Sequence, residues 1–272
     1  MMKGEIVVRT LGCIVRGTAP KKHHLNAMLL LSIIYFIGIV ISISFYPNQA
    51  YSPLSNYISD MGSIAYNPVA WWVFNLTEVF LGILMIPHFL YLYRRLLPTA
   101  RLLTRLALIS GIAGCIGFSW IGIIPEDFQL PHSVGAILAF AGFTTSALFT
   151  MLVFIRKIWL KSRWPSPRDF WILYGPLCVT LPLVFIMPNL APLVSSLPLD
   201  LRWFTIPIWE WTFMVSLMYW IISVAIITPD VPCFGFRFDV PKINHPLQVS
   251  NHQRYSLFLR RHYIGNITLE SG

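Results

Sequence analysis

Charge is scarce in this chain. Only 11% of its 272 residues are Asp, Glu, Lys or Arg, less than half of the roughly 25% found in an ordinary soluble domain. With 56% hydrophobic residues beside them, a water-soluble fold would lack a polar surface. Acidic residues are rarer than basic ones, 11 against 20, for a formal net charge of +9. That surplus does not mark a nucleic-acid binder, because the cations stand between long apolar runs instead of gathering on one polar face. Cysteine is sparse as well: Cys13, Cys115, Cys178 and Cys233 are scattered, without a C-x-x-C pair, which argues against a structural zinc site. There is no H-E-x-x-H, no G-x-S-x-G and no phosphate-binding glycine loop. Nor is there a pair of transmembrane histidines for haem, since His88 falls near the cytoplasmic edge of its span. No cofactor and no metal are expected.

Long apolar runs are what the chain does have. A bilayer core about 30 Å thick takes roughly 20 apolar residues of helix, because every backbone polar group must be satisfied within the segment. Six segments meet that demand, at residues 25–45, 68–93, 102–124, 131–155, 167–187 and 204–228. Asn67-Pro68 and Ser166-Pro167 are side-chain caps followed by proline at the first helical position, where its missing N–H costs nothing. The expected fold is all-α, a polytopic six-transmembrane-helix bundle over 25–228. A basic N-terminal segment (1–24) precedes it and a basic, aromatic tail (229–272) follows. The first run is too long for a cleavable signal core, and no small-residue cleavage pattern follows it.

Orientation follows the cations, which stay in short cytoplasmic segments. Lys3, Arg9, Arg16, Lys21 and Lys22 precede the first span; Arg94, Arg95, Arg101 and Arg105 flank the second connection; Arg156, Lys157, Lys161, Arg163 and Arg168 flank the fourth. The tail carries Arg237, Lys242, Arg254, Arg260 and Arg261. The other three connections hold Arg202 alone beside Asp60, Glu126, Asp127 and Asp200. The alternation gives N-in, C-in, a multi-pass protein of the cell membrane. The sequons at Asn75 and Asn266 then fall inside a span and in the cytoplasm, beyond reach of a glycosylating enzyme.

Apolar burial does not drive helices together in lipid, so close packing relies on small residues. Gly135, Ala139, Gly142 and Ser146 share one face of the fourth span, and Ser110, Gly111, Gly114 and Gly117 lie in the third; they predict the central seam. Gly175, Pro176, Pro182 and Pro188 predict a kinked or broken fifth span.

The polar residues gather on the outer side. From Ser52-Pro53 to Gly62 the first outer connection reads as a short extracytoplasmic helix. Asn56 and Asp60 share one of its faces, and Ser55, Ser59 and Gly62 form a small-residue face. The second outer connection, Pro125-Glu126-Asp127-Phe128-Gln129-Leu130-Pro131-His132, holds two carboxylates and an imidazole in one tight turn. Glu78 lies deep in the second span, on a face with Asn75 and Gly82, and Glu210 lies in the outer half of the sixth. Ionisable residues at such depth face an interior, a cavity or a partner. They either fix helix packing or form a site. Asp60, Glu126, Asp127 and His132 suit acid–base chemistry or a divalent metal, or simply position loops; their spacing is not specific.

Leu54-Ser55-Asn56-Tyr57-Ile58-Ser59-Asp60-Met61-Gly62, Phe74-Asn75, and Gly122-Ile123-Ile124-Pro125-Glu126-Asp127 followed by His132 resemble the prokaryotic domain-of-unknown-function 998 family. That family is similar in outline to the eukaryotic FRAG-like and damage-regulated autophagy modulator proteins. The likeness spans about residues 25–228, with Met61 where leucine is expected. It implies a six-helix bundle with its polar motif on the extracytoplasmic side and carries no reaction. Three functions remain open. The first is an accessory protein that binds lipid or another membrane protein; the second is a membrane-embedded hydrolase or lipid-modifying enzyme using Asp60, Glu126, Asp127 and His132. The third is a transporter or channel with Glu78 and Glu210 on its path.

Overall fold

The computed structural model describes residues 3–160, 166–179 and 206–228. The expected tail, the later part of the fifth predicted span with Pro182 and Pro188, and the charges at Lys161, Arg163, Asp200 and Arg202 lie outside the described residues, as does Cys233. The described chain is mostly α-helical: α1 (Lys3–Val15), α2 (Lys21–Ser44), α3 (Trp71–Leu96), α4 (Arg101–Ile123), α5 (Gln129–Trp159), α6 (helical over 167–179) and α7 (Ile206–Ile227). Five of them, α2 to α5 and α7, are long and apolar enough to cross a membrane. The fifth predicted span is helical over 167–179, running through Gly175 and Pro176.

The helices are apolar outward as well as inward. On α2, Met28, Leu31, Tyr35, Ile39 and Ser42 are buried at helical spacing, while Leu30, Ile33, Ile37 and Val40 on the opposite face are exposed. A helix apolar all round belongs in lipid or a large core, and exposed apolar surface on this scale exceeds what soluble monomers carry. Several polar residues are buried instead, among them Asn67, Asn75, Glu78 and Ser146.

The contacts α2–α3, α3–α4, α4–α5, α5–α7 and α7–α2 close a ring, with α4–α5 the most extensive. That interface is the predicted seam. A side chain on Gly117 would strike the Ala139 backbone and one on Gly142 the Gly114 backbone. Ser146 Oγ, one turn further, donates to the Ala107 carbonyl at 2.7 Å. Close backbone approach here replaces the absent hydrophobic drive.

Two local features depart from the expectation. The basic N-terminal segment contains α1, and α2 begins at Lys21, so His24 belongs to the bundle. Between the helices Gly17 adopts a left-handed φ of 65°, which glycine adopts readily. Arg94 Nε fastens that joint to the Arg16 carbonyl at 2.8 Å, and Arg95 Nη2 to Ala19 at 3.0 Å. The connection between α2 and α3, expected to hold a short helix from Ser52-Pro53 to Gly62, is not one helix. It is a series of turns with two 3-10 turns, Pro47–Gln49 and Ser59–Gly62. Polar side chains intercept its backbone: the Ser52 N–H donates to Asn56 Oδ1 and the Tyr57 N–H to Asp60 Oδ2, each at 3.0 Å. Such bonds compete with helix formation.

Candidate functional site

The connection over 45–70, the turn at 124–128 and the start of α7 meet at one end of the ring. There they cover a cavity of about 370 Å³, within the size range of ligand pockets. Phe74 and Glu78, one turn apart on α3, face it, as do Phe118 and Ile121 on α4, His132 and Phe140 on α5, and Glu210 on α7. Tyr57, Ile58 and Ser59 line it from the connection, beside Glu126.

Glu78 is the most enclosed of these acids, 1% exposed. Tyr35 Oη donates to its Oε1 at 3.3 Å, and Oε2 has no partner among the described residues. Glu210 Oε2 accepts the Ile58 N–H at 3.0 Å, tying the connection to α7. Trp211 Nε1 donates to Tyr51 Oη at 3.1 Å, and that hydroxyl donates to the Tyr57 carbonyl at 2.9 Å, so both polar groups of the Tyr57–Ile58 peptide are held. The imidazole of His132 is aimed by the main chain: Nδ1 lies 2.7 Å from the Ile124 carbonyl. A carbonyl only accepts, so Nδ1 carries the proton, and in the neutral ring Nε2 is an acceptor.

Glu126 sits between this group and Asp60. Burial, then the charge of Asp60 and a hydrogen bond with it, and then the charge of Glu210 push its carboxyl up to about 8, against a smaller opposing pull from Ser59. With both groups ionised, Glu126 Oε2 is buried without a partner; a proton kept on Glu126 is donated to Asp60. Asp60 itself is 7% exposed and accepts from Asn56 Nδ2 at 3.1 Å and from the Tyr57 N–H. It stands behind Ser59 as a support for the cavity wall.

The other predicted residues are positioned for structure. Asp127 faces away from the cavity and accepts from the Ile64 and Ala65 N–H groups at 2.7 and 3.0 Å and from Ser63 Oγ at 3.1 Å. Burial is the largest single influence on its pKa and raises it, but these hydrogen bonds together outweigh it and the net shift is downward. Asn75 Nδ2 donates to the Gly62 carbonyl at 3.1 Å, and a side chain on Gly62 would strike Asn75; the pair clamps the connection onto α3. Ser55 Oγ donates to Asn56 Oδ1 at 3.2 Å. Thus Glu78, Glu126, His132, Glu210 and Ser59 share the cavity, whereas Asp127, Asn75, Gly62, Ser55 and Asn56 build its frame.

A second polar cluster lies at the other end, where the sequence suggested none. His24 Nε2 and His88 Nδ1 are 3.2 Å apart, both rings fully buried. His24 stacks on Tyr91 with ring centroids 3.7 Å apart, and the Arg95 guanidinium lies over the Tyr91 ring, 3.5 Å from its centroid. Among the described residues no third His, Cys, Asp or Glu joins the pair to make a metal-binding group. The first predicted span begins at residue 25, which leaves His24 outside the bundle, whereas α2 begins at Lys21. About 15 Å of α3 separates His88 from Glu78, and Met28, Leu31, Leu81 and Met85, all buried, fill that interval.

A ring of helices with lipid-compatible outer faces and polar groups turned inward defines a multi-pass membrane protein. Its polar residues enclose a cavity at one end. The family model described as Protein of unknown function (DUF998) matches residues 29–227, from within α2 to the end of α7, and the chain belongs to that family. No curated protein and no solved structure is similar enough to count as a match.

Proposed function

We propose that this protein crosses the cell membrane six times, with both ends cytoplasmic, and binds a lipid or related amphiphile in the cavity at its outer end. The convergence of Glu78, Glu126, His132 and Glu210 on one cavity otherwise walled by Phe74, Phe118, Ile121 and Phe140 carries this reading. Such a wall suits an acyl or alkyl chain, and the polar groups suit a head. Ser133 and Ile137 on its α5 edge are exposed, which supports entry from the side. The six crossings and their direction rest on the apolar spans and on the alternation of Lys and Arg between connections. Reporter fusions at residues 60 and 100 should therefore report opposite compartments; the same compartment for both would discard the topology.

Binding is favoured over the two alternatives by particular contacts. The His132 ring is oriented by a backbone carbonyl, whereas a general base is characteristically held by a carboxylate. Below Glu78 the layer of Met28, Leu31, Leu81 and Met85 offers a permeating ion no ligand, which disfavours a channel. Ala136 lines the cavity, and Ala136→Trp should fill it. Native mass spectrometry of the wild-type protein should show a retained lipid-sized adduct that this variant lacks. Absence of an adduct from the wild type, or its persistence in the variant, would count against binding in the cavity.

A further inference from the structure

Three carboxyl groups and an imidazole line the cavity, and its described lining contains no lysine or arginine. Carboxyl groups gathered in a low-dielectric space ionise together only when a positive charge compensates them, and otherwise keep their protons. No permanent cation of the described lining supplies that charge. Glu78 adds a specific demand: its Oε2 is enclosed and unpartnered among the described residues. His132 Nδ1 is spent on the Ile124 carbonyl, so the carboxyl oxygens of the lining offer acceptors in excess of donors.

We propose, resting on the amphiphile-binding reading above, that the occupant's head is an N–H-bearing ammonium held among Glu78, Glu210 and His132, with its chain along Phe118, Ile121 and Phe140. Such a head brings both the missing charge and several donors. Phe74, Phe118 and Tyr57 add aromatic surface, which attracts cations. A phosphate or sulfate head would meet like charge instead. A divalent metal is the other source of positive charge, but among the described residues no three His, Cys, Asp or Glu side chains come together closely enough to hold one. Acids dispersed around a cavity of 370 Å³ fit a larger organic cation.

The test uses the full-length protein in nanodiscs of zwitterionic lipid, with empty nanodiscs as the partition control. Decylamine, decanol and decyl phosphate are titrated in turn. Hydrogen bonds to charged groups contribute about 1.5–3 kcal/mol, so decylammonium should bind at least about tenfold more tightly than decanol, and decyl phosphate most weakly. Glu78→Gln, which keeps shape and removes charge, should reduce that preference by about tenfold. Equal affinity for amine and alcohol, both lost in Ala136→Trp, would overturn the ammonium head while leaving the amphiphile reading intact. Failure of all three to bind above the empty-disc control would overturn both. The amine-to-alcohol ratio in the wild type decides the matter even if Glu78→Gln does not fold.

Discussion

Glu126→Gln should make the protein more stable than the wild type above about pH 8, and should remove most of the wild type's loss of stability between mildly acidic and mildly alkaline pH. The reasoning is one of linkage. A carboxyl whose pKa is raised in the folded state, here from an ordinary 4.5 to about 8, prefers its proton in the fold. Stability is therefore full below about pH 4.5 and falls as pH rises through about 8. The limit of this effect is ~5 kcal/mol at about 1.36 kcal/mol per pH unit; Glu126 is only partly buried, and screening reduces the expected loss to about 1–3 kcal/mol. Asp60 and Glu210 supply the repulsion, with Glu78 and His132 on the same cavity. Glutamine holds the hydrogen-bonding shape without the charge. Thermal melts of both proteins from about pH 5 to 9 make the measurement. Parallel curves would show that Glu126 is not the group being deprotonated.

Gly142→Leu should be more damaging, preventing recovery of a monodisperse folded protein. Its side chain would enter the Gly114 backbone and approach the Ser110 carbonyl, so no rotamer escapes the clash and the two helices must separate. Ordinary overpacking costs about 1–3 kcal/mol because flexible side chains yield. Here only backbone is available to move, so a cost above about 3 kcal/mol is expected, a large part of a total stability of ~5–15 kcal/mol. Gly175→Ala is the matched control. An added methyl at that α6 position meets nothing within 4 Å, and alanine favours a helix over glycine by up to about 1 kcal/mol, so this variant should melt at or slightly above the wild type. Size-exclusion profiles and melting curves give both results. A Gly142→Leu protein that elutes and melts like the wild type would refute the seam.

The large-scale plan was legible because it depends on composition. Runs of about 20 apolar residues and the small-residue spacing 135, 139, 142 and 146 follow from lipid solvation and helical periodicity alone, and both appear in the helices. The site was legible in part. Glu78 and Glu210 stood out as acids in apolar helices, and they do meet one cavity. Sequence could not separate Glu126 from its neighbour Asp127, because adjacent residues in a tight turn face opposite ways: one towards the cavity, the other towards the N–H groups of Ile64 and Ala65. The first connection was read as a helix because Ser52-Pro53 and Gly62 mark ends, while Asn56 and Asp60 divert the backbone between them. Tyr35 was missed entirely. A mid-span hydroxyl reveals its role only when its Glu78 partner is known.

The stratum of Met28, Leu31, Leu81 and Met85 beneath the cavity also bears on electrical behaviour. In a bilayer, a transmembrane voltage falls mainly across material that water does not penetrate, and moving one elementary charge through the whole drop is worth about 2.3 kcal/mol per 100 mV. A hydrated vestibule ending on that dielectric plug would stay close to the potential of the compartment it faces. A cation resting there would cross little of the voltage, so its occupancy would report the concentration and acidity of that compartment while remaining nearly indifferent to membrane polarisation.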